Sequence, residues 1–282
     1  MSSATMTPRE TGKADHAEII ARVMQHDPAK VQKRRRIIFG TISLGLLVLA
    51  YVFISTRPEV NPAVIPTVPA IIEDFWTSLF NGTLLSAVWA SLQRVLIGYV
   101  IGTVAAIVIG SLMGWMRTFE YFFDPIIEVM RPIPPLAYIP LILIWFGIGE
   151  VSRIIVITLA CFVTCIINVV AGMKEIPKVY VDAARTLGAS RMYTFRRVAL
   201  PATVPYIFTG LRIALAAAWT SLVAAELLAA QDGLGFLLQT GRQYFQTSQV
   251  MYVIATIGLL AFLMDRVFRL VQKKLSAGSE AM

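Results

Sequence analysis

Residues 154–170 read IIVITLACFVTCIINVV, an apolar run without one Asp, Glu, Lys or Arg. Its length approaches the roughly 20 residues that a helix needs to cross the hydrocarbon core of a bilayer. In lipid only helices and closed barrels satisfy the backbone, and a barrel strand would alternate apolar and polar residues over about ten positions, which Ile154 to Val170 do not. The run therefore sets the fold class as all-α integral membrane. It also contains both cysteines, Cys161 and Cys165, at i and i+4 on one helix face. That spacing suits buried small residues, and with no histidine nearby it offers no metal set.

Working outward, the same composition persists. Of 282 residues 57% are hydrophobic and 15% charged, against roughly 45–50% and about 25% for a soluble domain. The excess is organised into about six spans. The expected map is a cytoplasmic tail over 1–36, a first transmembrane helix over 37–55, a periplasmic loop with an interfacial helix over 56–83, a helical core over 84–271 and a cytoplasmic tail over 272–282. Within the core, spans are expected near 84–115, 121–146, 153–171, 206–230 and 250–270. Gly98, Gly102, Ala106, Gly110 and Gly114 recur every four residues in the second span, a stripe that lets two helix backbones approach closely. The third span is interrupted by Arg131-Pro132-Ile133-Pro134-Pro135 and by Pro140, so it must kink or unwind. In the 56–83 loop, Ile71, Ile72, Phe75, Trp76, Leu79 and Phe80 lie opposite Glu73 and Asp74, the pattern of a helix on the membrane surface.

The net charge of +8 raises a nucleic-acid partner, and the placement of the basic residues removes it. They cluster in the loops of one side: Lys33 to Arg36, Arg117, Lys174 to Arg197, and Arg266 to Lys274. The other side keeps Arg57, Arg94, Arg153 and Arg242. Lys and Arg accumulate on the cytoplasmic side, so both termini are expected inside. A polar stretch holding His16 and His26 precedes the first apolar run, which is not the layout of a signal peptide.

The segment 172–205 is too patterned for a connector. Pro177 suits a helix N1 position, Lys178 to Leu187 can form about three turns, and Gly188 suits the left-handed position that ends them. Ser190 then caps a second helix, Arg191 to Val198, expected to stop at Leu200-Pro201. Ala183 and Ala184 leave one face nearly bare, as a close-docking partner requires.

Asp182-Ala183-Ala184, Gly188 and Val198-Ala199-Leu200-Pro201 resemble, in order and spacing, the EAA loop of ABC importer permeases, with Asp182 where that family commonly has Glu. The resemblance implies the type I importer permease fold in a bacterial cell inner membrane. It also implies that Asp182, Ala183, Ala184, Arg185, Gly188, Ala189, Ser190, Leu200 and Pro201 couple the chain to a separate ATPase. The implied partners are a second copy of this chain, two ATP-binding subunits, a periplasmic substrate-binding protein and membrane lipid, with no nucleic acid. ATP and Mg would belong to the ATPase, leaving no cofactor in this chain. The run from Arg131 to Ala137 continuing to Glu150, and Val223 to Leu227 followed by Gly233 to Phe236, look like the nitrate, taurine and sulfonate branch, most similar to taurine permeases. A small anionic or zwitterionic solute is implied, with taurine or another sulfonate first and nitrate or an aromatic carboxylate as the alternatives.

Charges inside spans are costly and are functional candidates by default. Glu128 and Arg131, with Asp124 on the same face, can form an internal ion pair or a gate contact. Glu226 suggests either a bond to the broken backbone of span three or a polar group at the mouth of the path. Glu128, Arg131, Pro134, Pro135 and Glu226 are thus the expected path residues. Arg212 is placed to snorkel. A secondary transporter using Glu226 or Glu128 as proton carrier would be expected to show repeated broken helices, and only one span is clearly broken. An intramembrane enzyme is weaker still, since no HExxH, GxSxG or P-loop motif occurs.

Overall fold

The computed structural model describes residues 28–229 and 231–279, and every regular element among them is helical. Helix α1 (Pro28–Ser55) belongs to a unit of its own that ends at Val60. It begins nine residues before the expected span, because Pro28 suits a first helical position and the basic run Lys33–Arg36 does not oppose helix. Residues 38–55 within it are long and apolar enough to cross a membrane. The rest of the expected N-terminal tail, 1–27 with both histidines, and the last residues, 280–282, lie outside the described residues.

The second unit starts at Asn61. Its first helix, α2 (Val68–Phe80), has Pro69 in its first turn, where a missing N–H costs nothing. Ile71, Phe75 and Leu79 pack against the main core, while Trp76 and Phe80 stack on each other at 5.6 Å and stay exposed. One face of α2 is therefore held by protein. Tyr252 donates to Ser78 at 3.0 Å, and its ring meets Phe75 edge-on.

Three long helices make the centre: α3 (Thr83–Trp115), α6 (Glu150–Lys174) and α9 (Leu200–Ala229). Apolar side chains gain little from facing each other in lipid, so close backbone approach must supply the packing. The glycine stripe does this against α6. A Cβ on Gly98 would stand 2.7 Å from Ile157, one on Gly102 would collide with the Thr158 carbonyl, and one on Gly110 would stand 3.0 Å from Val169. Pairing Gly98 with Ile157 and Gly114 with Met173 makes α3 and α6 parallel. The chain between them must therefore return across the bundle. On its other side α6 meets α9, where the Cys161 thiol lies 3.5 Å from the Ala214 carbonyl. Both cysteines are free and buried.

The returning segment is the broken span: α4 (Arg117–Met130), a 3₁₀ turn over Pro135–Tyr138, and α5 (Ile139–Phe146). Its halves are bent by 89°. Pro132, Pro134 and Pro135 have no amide hydrogen to continue the ladder, so the chain closes short turns, Ile133 N to Met130 O and Ala137 N to Pro134 O. The remaining elements are α7 (Lys178–Thr186), α8 (Arg191–Thr194), α10 (Leu234–Gln243) and α11 (Thr247–Ser279). Five described helices are long and apolar enough to cross a membrane, and the bent pair makes a sixth if it counts as one span.

Two local expectations are corrected. Pro177 is the residue before α7, not its first helical residue. The second short helix does not stop at Leu200-Pro201: α8 runs through a π turn over Phe195–Ala199 directly into α9. The wider π turn precedes Pro201, whose ring would otherwise press on the carbonyl four residues back.

Candidate functional site

The knob between α6 and α9 is built by its caps. Gly188, at φ +80°, ends α7, with its N–H on the Arg185 carbonyl at 2.9 Å and the Ala189 N–H on the Ala184 carbonyl at 3.0 Å. Together these bonds form a Schellman closure, which needs a residue tolerant of positive φ. Ser190 then accepts the Tyr193 N–H at 3.2 Å and starts the next helix. The knob is tied back to the bundle by Arg191 on the Trp115 carbonyl at 3.3 Å and by the rings of Trp115 and Phe195, 5.6 Å apart.

Asp182, Ala183, Arg185, Gly188 and Ser190 are exposed on this knob, with Ala184 and Ala189 half-buried. Beside them Val179, Tyr180, Leu187, Met192 and Tyr193 are exposed as well, Leu187 at 88%. These exposed apolar groups form a cluster on a small element, where they contribute little to packing among the described residues. Leu200 and Pro201 lie beyond the π turn, in the first turn of α9, and not on the knob.

The other expected residues separate into two places. Glu128 and Arg131 do not pair with each other: both are exposed, and with Asp124 they line a cavity of about 320 Å³ between α4 and α6. The floor of that cavity is Ile127, Ile166 and Val170, and Lys174 at its rim is bound to Glu120 at 2.7 Å. Pro134 and Pro135 form the bend that follows. Arg212 pairs with Asp265 at 3.0 Å.

Glu226 is elsewhere, and the bond expected between it and the broken backbone of span three is not formed. It is 1% exposed, accepts from Arg94 at 2.6 Å and from Ser91 at 2.8 Å, and takes the Gly235 N–H at 2.8 Å. Arg94 reaches further, to Glu150 at 2.6 Å and Asp232 at 2.5 Å, and Arg153 bridges the same two carboxylates at 2.7 and 3.2 Å. Ser91 also accepts the Leu234 N–H at 2.8 Å. One network thus joins α3, the first turn of α6, the end of α9 and the start of α10. The sequence reading missed it because it counted Arg94 among the basic residues of the outer side, at the start of the second span; the helix begins at Thr83, which puts Arg94 three turns inside. The available signal was an arginine and a glutamate each embedded in an apolar run, which membrane burial allows only as a pair.

An all-helical bundle with one broken span and one exposed capped knob is the class of a type I importer permease, and solved structures agree. The chain superposes on the inward-facing MetNI methionine ABC transporter with a TM-score of 0.58 at 24% identity, covering 68% of this chain and 97% of that one. Residues 98–277 match the family described as the inner membrane component of binding-protein-dependent transport systems, and the chain belongs to that family. It is 38% identical to the taurine transport system permease protein TauC of Escherichia coli (strain K12), covering 86% of this chain and 90% of that protein. It is 31% identical to the putative aliphatic sulfonates transport permease protein SsuC of Bacillus subtilis (strain 168), over 84% of this chain and 86% of that one. Against the nitrate import permease protein NrtB of Leptolyngbya laminosa it is 39% identical, over 69% and 70%.

Proposed function

We propose that the chain is the membrane permease subunit of an ATP-driven importer for a small sulfonate, taurine before the others. The observation that carries this reading is the likeness to the taurine permease, which runs through nearly the whole of both chains. Both termini and the knob face the cytoplasm of a bacterial inner membrane, two copies pack about a two-fold axis, and each knob seats in one ATP-binding subunit. ATP and Mg are bound and hydrolysed there. A periplasmic binding protein delivers the solute to the opposite face. Closure of the ATPases draws the knobs together, and the spans alternate between outward and inward openings. The break at Arg131 to Pro135 and the charges of Glu128 and Arg131 border the path, because unpaired charges and free backbone groups at membrane depth need water or protein.

Nitrate is the second reading, favoured by the likeness to the nitrate permease. Proteoliposomes holding this chain, its ATPase and its binding protein decide between them: ATP-dependent uptake of labelled taurine is expected, suppressed by excess ethanesulfonate less than by taurine. Uptake of nitrate alone would replace the first reading by the second, and uptake without ATP would remove both.

A further inference from the structure

The cavity between α4 and α6 carries charges of both signs with no partner for them among the described residues. Asp124, Glu128 and Arg131 line it together. Among the described residues none of these three side chains enters a hydrogen bond or an ion pair, and all three are exposed. They stand at i, i+4 and i+7 on one face of the helix that leads into the 89° bend. Three unpartnered charges on one face of a membrane-crossing segment are too costly to leave against lipid, so the face must meet water or a charged molecule. Lys174 at the rim is already taken by Glu120. The free groups in the cavity therefore hold one more carboxylate than cation.

We infer that this cavity is a binding site for a small zwitterion, in which Arg131 takes the oxyanion end and Glu128, helped by Asp124, takes the ammonium end. Glu128 and Arg131 stand about 4.5 Å apart along the helix, within one turn, so that both side chains can reach the two ends of one ligand in the cavity they line. An ammonium separated from an oxyanion by two methylenes spans about 4–5 Å at ordinary single-bond lengths. About 320 Å³ accommodates such a molecule, and Ile127, Ile166 and Val170 supply an apolar floor for the methylenes. A simple anion gains Arg131 and meets two carboxylates, so nitrate or ethanesulfonate is disfavoured in the same place. The inference rests on the proposed transport of a taurine-like solute and deepens it, because it makes the permease itself select for the amine.

The test separates this cavity from the binding protein, which does its own selection. The complex of this chain with its ATPase, in nanodiscs and without the binding protein, is titrated with labelled taurine, and then with ethanesulfonate and nitrate as competitors. Saturable taurine binding is expected, with neither competitor effective at equal concentration. Arg131→Gln and Glu128→Gln should each weaken it by about tenfold or more, the scale of one charge-assisted hydrogen bond, while Arg131→Lys keeps much of it. Copurification of the ATPase with each variant confirms assembly. No taurine binding, equal competition by ethanesulfonate, or binding indifferent to both glutamine variants overturns the site. Loss of the two-copy assembly in both variants also overturns it, by showing that these charges pair between copies. Failure of the transport reading is recognised separately, as absence of ATP-driven taurine uptake by the unmodified complex.

Discussion

The two ends of the bundle use charge in opposite ways. Where α3, α6 and α9 meet the start of α10, Arg94 and Glu226 are almost fully buried and each is satisfied by several partners. On the knob, Asp182 is 69% exposed and its nearest cation, Arg185, is 4.0 Å away. A buried pair is weak evidence of net stabilisation, yet removing one member costs about 3–5 kcal/mol because the other is left uncompensated. An exposed pair at that distance is worth about 0–1 kcal/mol. The first arrangement fixes which helix ends stay together. The second leaves the surface free to be read by another molecule.

Several substitutions break or sharpen that contrast. The largest effect is expected from Arg94→Met, which strands Glu226 against Ser91 and the Gly235 amide. Unfolding in a denaturant titration should shift by about 3–5 kcal/mol, and Arg94→Met with Glu226→Gln should recover part of the loss. An additive double variant would mean that the two side chains do not work as a pair.

Next comes Gly102→Val in the shared wall of α3 and α6. Its Cβ would meet the Thr158 carbonyl and stand 2.9 Å from Cys161, so overpacking of about 1–3 kcal/mol is expected, seen as a lower melting temperature in detergent. A variant that melts like the parent would show that the two helices can separate without cost.

Gly188→Val acts at the other end with open space around it: no atom lies within 4 Å of an added Cβ, and only the positive φ resists. The backbone cost is about 1–2 kcal/mol, less than that of Arg94→Met. Transport should nevertheless be lost if the knob couples to the ATPase, with ATP hydrolysis no longer linked to uptake. Coupled uptake at the parental rate would detach function from this turn. The smallest stability change, within about 0.5 kcal/mol, is expected for Asp182→Lys on the exposed face. Here the informative readout is copurification of the ATPase across a salt series, which should fall at low salt if Asp182 lies in the docking face.

Local signals in the sequence were enough for the local features. The uncharged run Ile154–Val170 announces a membrane helix, the glycine steps from Gly98 to Gly114 announce a close helix neighbour, and the prolines after Arg131 announce a break. Gly188 followed by Ser190 marks a helix end and a helix start, because positive φ and side-chain capping are properties of single residues. The same local rules misplaced two things that depend on what lies opposite. Pro201 reads as a stop, and the chain passes it through a π turn because the helix is needed to continue into α9. Glu128 and Arg131 read as a pair by spacing, and the structure turns both toward one cavity instead.

By itself, then, the sequence determined the all-helical membrane class, the broken span and the capped knob, since each follows from hydropathy and backbone preferences over a few turns. Only the tertiary structure decided that Arg94 and Glu226 are partners, because 132 residues separate them and no periodicity carries information over that distance. It also decided that α3 runs parallel to α6. That follows from the return of the chain through α4 and α5, which brings the first turn of α6, the end of α9 and the start of α10 around an arginine inside α3 and so satisfies its charge.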